Sequence, residues 1–430
     1  MKILYIVPYV PSRIRVRPYQ MIRALGEKGH RVSLAAPWSS EAERQELEPL
    51  REICEEVFTA PLPAWRSALN ILAALPSSMP LQANYCWHPA LDRQLRAAVQ
   101  AGDHRPPFDL IHVEHLRGAR YGLSLKAAMQ PRRSIPVVWD AVDCISHLFE
   151  QALRREGSPL RAAVLRLELR RTRSYEGQLA AHFDRVIVTS RTDRDQLNAL
   201  AGARNSLPNI AVIPNGVDLE YFQPGLPAGR EVDTLVVSGK MSYHANIAMV
   251  LFLVNSIMPL VWNRRPGTVV KIVGKDPPAE VRALGRDPRV VVTGTVADIR
   301  PYLQRAAVAV APLSYGAGIQ NKVLEALACA APVVATPQAV SALDAAAGAD
   351  LLVAENAAQF AGAVVRLLEN PDLRLALGKA GREYVERYHR WPDVAERIVH
   401  EYEQLLGRSS GPFSQQTGFG KMIEGERNGI

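Results

Sequence analysis

The chain has 430 residues, 48% of them hydrophobic and 22% charged, which fits a globular protein of two or three domains and excludes a disordered chain, a collagen-like fibre or a disulfide-stapled miniprotein. Lysine and arginine total 51 against 43 acidic residues, a net charge of +8. The excess is uneven: residues 1–200 hold 28 basic and 21 acidic residues, so that half favours an anionic partner such as a membrane surface, a phosphorylated substrate or nucleic acid.

The chain begins with a short apolar run ending at Pro8, too short for a signal peptide, which reads as a first buried strand over Lys2–Val7. Further strands are expected at Arg31–Ala36, Leu110–Val113, Pro136–Asp140 and Arg185–Thr189. Between prolines, Ala64–Leu75 forms an apolar helix on which Trp65, Leu69, Leu72 and Ile71 share a face, either to cover a sheet or to lie in a membrane interface. Ser158 and Pro159 start a long helix that runs through Tyr175 towards His182 and carries Arg161, Arg166, Arg170, Arg171 and Arg173. The Pro-Asn-Gly turn within Ile213–Asp218 suits a hinge.

The pattern then restarts, with strands expected at Thr234–Ser238, Val269–Val273, Val290–Thr293, Val308–Ala311, Pro332–Thr336 and Asp350–Val353. Strands alternating with helices predict an α/β fold of two tandem Rossmann-like domains. The expected division is 1–212, 213–385, a helix at 386–406 packing back on the first domain, and a flexible tail at 407–430. Met241–Asn263 is uncharged but interrupted by polar residues and Pro259, and Ala326–Leu343 is broken by two prolines, so neither reads as a membrane span. Cys54, Cys86, Cys144 and Cys329 show no metal spacing and read as reduced packing residues of a cytoplasmic protein.

The most informative segment is Pro312–Thr336, which reads as strand, glycine-bearing loop, helix, turn and strand. Gly316 and Gly318 allow a tight turn where the next helix exposes its free N–H groups, an anion site by construction. Lys322 and Glu325 share a face of that helix. They are either an ordinary surface ion pair or a cation for a diphosphate beside a carboxylate for ribose hydroxyls. Ser238-Gly-Lys-Met-Ser-Tyr-His-Ala-Asn246 is a second phosphate candidate: Gly239 and Lys240 end a strand, and Asn246 is placed to cap the following helix.

Pro214-Asn-Gly-Val-Asp218, Gly239-Lys-Met-Ser-Tyr-His-Ala-Asn246 and Gly318-Ile-Gln-Asn-Lys-Val-Leu-Glu-Ala-Leu-Ala328 resemble the donor domain of retaining glycosyltransferases of family four. Arg15–Arg23, Gly29–Val32, Trp139–Asp143 and Phe183–Ser190 resemble, more weakly, the acceptor domain of bacterial cell-envelope and exopolysaccharide members. The resemblance implies two domains facing across a cleft (the GT-B type), a nucleotide-diphosphate sugar as donor, and a polysaccharide or lipid-linked acceptor. It also implies a front-face mechanism, in keeping with the lack of an obvious nucleophilic carboxylate. Lysines and a helix N-terminus standing where a metal would act predict activity without one, and the basic first half, the arginine-rich helix and the apolar Ala64–Leu75 helix leave peripheral contact of a cytoplasmic protein with the inner face of the plasma membrane as one reading. Carried over by position, Glu325 holds the donor ribose and Lys322 and Lys240 reach the diphosphate. Gly239, Gly316, Ala317, Gly318, Ile319 and Val296 line the donor. Many members have a glutamate where this chain has Ala317, which puts donor identity in doubt. The paired glycines common after the first strand are replaced by Arg13, Arg15 and Arg17, pointing to a phosphate-bearing acceptor; His115, Glu114 and Asp143 complete the acceptor-side set.

Asp193-Arg-Asp195 has the form of a metal-binding DxD, but Ser190 before it reads as a helix cap and the acids as helix-start residues. His112 and His115 lack a third zinc partner. Aromatic residues are not interleaved with the basic ones, so nucleic acid is not expected as a partner. Two rival readings stay open: a nucleotide-sugar epimerase or hydrolase on the same fold, and a non-catalytic binding subunit of a glycosyltransferase complex.

Overall fold

A computed structural model describes residues 1–12, 15–101, 106–129, 134–154, 157–202, 210–226, 229–316 and 318–407. The expected tail beyond Gly407, together with Arg13 and Ala317, lies outside the described residues.

The first sheet holds seven parallel strands: β1 (Lys2–Ile6), β2 (Arg31–Trp38), β3 (Glu56–Pro61), β4 (Leu110–Glu114), β5 (Val137–Val142), β6 (Arg185–Val188) and β7 (Ile210–Val212), in the order β3-β2-β1-β4-β5-β6-β7. The second holds β8 (Glu231–Ser238), β9 (Val269–Val273), β10 (Val290–Gly294), β11 (Ala306–Ala311), β12 (Val333–Ala335) and β13 (Leu352–Val353), in the order β10-β9-β8-β11-β12-β13. Both are doubly wound sheets whose order reverses beside the first strand, between β1 and β4 and between β8 and β11. Ligands of such sheets bind at the carboxyl ends of those strands.

Strand β1 shows why the sheet is buried on both sides. Ile3 and Tyr5 join one apolar cluster, and Leu4 and Ile6 join the cluster on the opposite face. The helix Pro371–Tyr388 belongs to the second core through Leu377, Tyr384 and Val385. The chain then crosses at His389 and Arg390, where the His389 carbonyl accepts from the Val217 N–H at 2.7 Å. Helix Trp391–Leu405 continues onto the first sheet, where Trp391, Val394, Ile398 and Tyr402 pack with Tyr5, Met21, Val138 and Ile187.

The uncharged stretch after Met241 is a helix from His244 to Arg264, long and apolar enough to cross a membrane but half buried in the second core. A π turn at Leu253–Ile257 precedes Pro259 and takes up the register its missing N–H would break. The four cysteines are buried and unpaired, and burial pushes the thiols of Cys54 and Cys329 up to about 12.

Candidate active site

Strand β11 leads through the loop at 312–320 into the helix Asn321–Ala328. Among the described residues no side chain caps that helix start; the Val323 N–H donates to the Gln320 carbonyl at 2.9 Å, which leaves the N–H groups of Asn321 and Lys322 for a ligand at the β8/β11 switch point. Lys322 does not pair with Glu325. Its Nζ donates to Asn246 Oδ1 at 2.8 Å and to Gln320 Oε1 at 3.2 Å. Asn246 is therefore not the helix cap expected from its position, which belongs to Tyr243. It bridges instead, donating through Nδ2 to the Lys240 carbonyl at 2.9 Å and so joining the two lysine-bearing loops. Lys240 itself is exposed.

Glu325 is half-buried and its carboxylate makes no hydrogen bond or ion pair among the described residues. Burial raises it to about 7, with Lys322 opposing, and burial lowers Lys322 to about 8, with Glu325 opposing. A surface ion pair would hold both groups further from neutrality. This pair instead sits ready to change charge when an anion and hydroxyls arrive.

Two glycines are fixed by close approach. At Gly274 (φ 153°) a Cβ would lie 1.7 Å from the Gly239 carbonyl oxygen, so only glycine lets the loop after β9 run against the loop after β8. At Gly318 (φ 60°) a Cβ would lie 1.8 Å from Asp143 Oδ1, which belongs to the first domain. The same loop meets that domain at Gly316, whose N–H donates to Gln151 Oε1 at 3.1 Å. Asn215 and Asn321 are also joined, Nδ2 to Oδ1, at 3.1 Å. The glycine loop thus closes the cleft floor against Asp143, whose carboxyl is raised to about 7 by burial and then by Asp193. Tyr315 adds a wall: its hydroxyl meets His244 Nδ1 at 2.8 Å and the two rings stack. Ile319 turns its side chain into the core beneath. Val296 faces a separate cavity of about 500 Å³ with Lys271, Asp298, Tyr302 and Arg305, and no other donor-set residue lines it.

The acceptor-side set divides. Arg17, expected in the cleft, is buried: Nε and NH2 reach Asp140 Oδ2 at 2.9 and 2.7 Å, and NH1 donates to Asn215 Oδ1 at 2.9 Å. Burial opposes its charge, but Asp140, Tyr5 and Glu114 outweigh it and hold Arg17 above its usual range. Glu114, also expected there, is buried and accepts from the hydroxyls of Tyr5 and Tyr9, both at 3.1 Å. Burial and then Asp140 raise it to about 8. Neither side chain is free to hold a phosphate or a sugar. Arg15 remains at the rim, paired with Glu43 at 2.7 Å and stacked over Tyr9.

His115 stays half-buried at the end of β4 with a left-handed φ of 65°, an outlier that a strand end keeps only when its surroundings enforce it. Its Nδ1 accepts the Arg117 N–H at 3.2 Å, and burial followed by Arg117 lowers it to about 3. The ring is neutral at physiological pH and carries its proton on Nε2.

Asp193 and Asp195 do not form a metal pair. Asp193 is buried, accepting from the Cys144 N–H at 2.9 Å, while Ser190 caps the helix and accepts from the Asp193 N–H. Asp195 is exposed and paired with Arg194. Among the described residues no group of three or more His, Cys, Asp or Glu could hold a metal ion. Tyr315, His244, Gln320 and Gly274 went unnoticed in sequence; only Gly274, at a strand end, carried a signal that could have found it.

Sequence comparisons bear on both halves. The model described as Glycosyltransferase Family 4 matches residues 15–221, and that described as Glycosyl transferases group 1 matches residues 232–370. A D-inositol 3-phosphate glycosyltransferase from Nocardiopsis dassonvillei is 26% identical over 426 residues, covering 92% of this chain and 90% of the relative. One from Actinosynnema mirum is 30% identical over 260 residues, 53% of this chain and 59% of the relative. Sucrose-phosphate synthase from Thermosynechococcus elongatus shares the fold with a TM-score of 0.69 at 19% identity, covering 95% of this chain and all of that one. Anabaena HepE, solved in complex with UDP-glucose, gives 0.63 at 16% identity, covering 94% of this chain and all of that one. With a doubly wound domain on each side of a cleft and both halves matched by glycosyltransferase models, the chain belongs to the family-four glycosyltransferases of GT-B fold.

Proposed function

We propose that the enzyme is a retaining transferase that moves a sugar from a nucleotide-diphosphate donor to a lipid-linked or polysaccharide acceptor of the bacterial envelope or exopolysaccharide. The observation that carries the donor half is the arrangement at the Asn321–Ala328 helix: an uncapped start, Lys322 turned towards it through Gln320 and Asn246, and an unpartnered Glu325 behind. Lys322, Lys240 and the helix N–H groups would hold the diphosphate, and Glu325 would accept from the ribose hydroxyls. Solved neighbours bound to UDP and to UDP-glucose support a nucleotide sugar as donor. On the acceptor side, the neutral His115 at the strand end offers an Nε2 proton at the cleft rim, and Arg15 lies nearby.

As the glycosidic bond breaks, negative charge grows on the departing diphosphate. Fixed donors already aimed at it stabilise that charge without reorganisation, which is work a metal would otherwise do. The bond passes through an oxocarbenium-like state, and the glycine loop seated against Asp143 excludes water from it.

Turnover of UDP-, GDP-, ADP- and dTDP-sugars, with and without candidate acceptors and in the presence of EDTA, tests this reading. One donor should be consumed only when acceptor is present, at an unchanged rate in chelator. Loss of activity in EDTA with rescue by Mn²⁺ would contradict the lysine-based account, and release of free sugar or epimer without acceptor would indicate the hydrolase or epimerase alternative.

A further inference from the structure

We infer that the first domain carries an anionic-membrane docking face formed by the helices Ala64–Ala74 and Pro159–His182. The two meet where Arg171 NH2 donates to the Leu75 carbonyl at 2.7 Å, closing the C-terminal end of the shorter helix. Trp65, Leu69, Leu72 and Leu75 follow one another at helical spacing on the first; Leu160, Val164 and Leu167 do so on the second. All seven stand between 47% and 78% exposed. A helix that only covered a sheet would turn such residues inward. Here Ser67, Asn70 and Ala74 face the protein instead, with Asn70 donating to the Trp87 and Tyr85 carbonyls.

The charges around this face are sorted by sign. Arg161, Arg166, Arg170 and Arg173 are exposed, and none has an ion-pair partner among the described residues. The acids of the same helix point inward: Glu168 accepts from the Leu81 N–H at 3.0 Å, and Glu176 from the N–H groups of Ile145 and Ser146. On the shorter helix Arg66 lies over the Trp65 ring. Apolar side chains flanked by unpaired arginines, with an indole among them, are the chemistry of a helix lying in a lipid interface, and the surface potential of acidic lipids attracts each arginine near it.

The face also adjoins the cleft. Its chain continues into Leu81–Tyr85, where Gln82 accepts from the Arg117 guanidinium at 3.3 Å, while the backbone N–H of the same arginine donates to His115 Nδ1. Docking would therefore bring the acceptor-side rim close to the membrane surface. Delivery of a lipid-linked acceptor rests on the reading above; docking itself does not.

Co-sedimentation of the full chain with phosphatidylcholine vesicles, with and without phosphatidylglycerol, tests it. Binding should require the acidic lipid and fall steeply with salt. Arg166→Glu with Arg170→Glu should weaken it about tenfold or more, and Trp65→Ala with Leu69→Ala should weaken it by a similar factor. Thermal shift with nucleotide sugar should be unchanged in both variants, which separates docking from folding and from the donor site. Absence of binding, equal binding to neutral and acidic vesicles, or a solution dimer abolished by the Trp65/Leu69 change would overturn the inference. Vesicle binding without any nucleotide-sugar response would leave docking standing and count against the transferase reading.

Discussion

Lys322→Ala lowers kcat by about 10²–10³, with a smaller change in donor KM, because a donor aimed at developing charge contributes most in the transition state. Two features single out Lys322. Its Nζ is already held by Asn246 and Gln320, so little reorganisation is needed when charge appears. Burial has lowered it to about 8, so the arrival of a diphosphate gains the full interaction of a poorly solvated cation. Steady-state kinetics on the preferred donor check this. A loss confined to KM would mean that Lys322 contributes equally to ground-state binding and is not the leaving-group cation.

Arg17→Ala destabilises the fold by about 3–5 kcal/mol, the usual cost of leaving one buried charge without its partner. Asp140 loses both of its guanidinium contacts, and the interdomain linker loses the bond from Arg17 to Asn215. Urea denaturation reads the loss as a lowered midpoint. Pairing Arg17→Met with Asp140→Leu should restore much of it, since an apolar pair leaves no orphaned charge. If Arg17→Ala instead kept full stability and only weakened acceptor use, the arginine would belong to the cleft after all.

Arg17 also marks the limit of what the sequence discloses. Three arginines after a first strand look like a phosphate site. That one of them is consumed inside the fold depends on Asp140, more than a hundred residues later, and on Asn215 in the linker. Glu114 is the same case, its carboxylate taken by Tyr5 and Tyr9. Strands buried on both faces were legible because they are continuous apolar runs. The two missed strands, β3 and β7, lie at the sheet edges and are only partly buried; β3 mixes its apolar residues with Glu56, Thr59 and Pro61, and β7 is only three residues long. At the donor helix the glycine loop, helix start and charge spacing fall within a dozen residues, so Lys322 and Glu325 stand out as candidates from local pattern alone. Asn246 was noticed but misplaced, because its role depends on a lysine from another crossover.

Calorimetric affinity for the best donor against pH, measured in wild type and in Glu325→Gln, tests whether Glu325 and Lys322 form a nucleotide-sugar site. If Glu325 accepts from the ribose and Lys322 holds the diphosphate, donor binding needs an ionised Glu325 and a protonated Lys322. Wild-type affinity should therefore fall as pH drops through about 7 and again as it rises through about 8. Glu325→Gln should bind roughly a hundredfold more weakly, as expected from losing two charge-assisted hydrogen bonds to the ribose, and its acidic limb should disappear. Equal affinity in the two proteins, with the same acidic limb, would contradict the assignment.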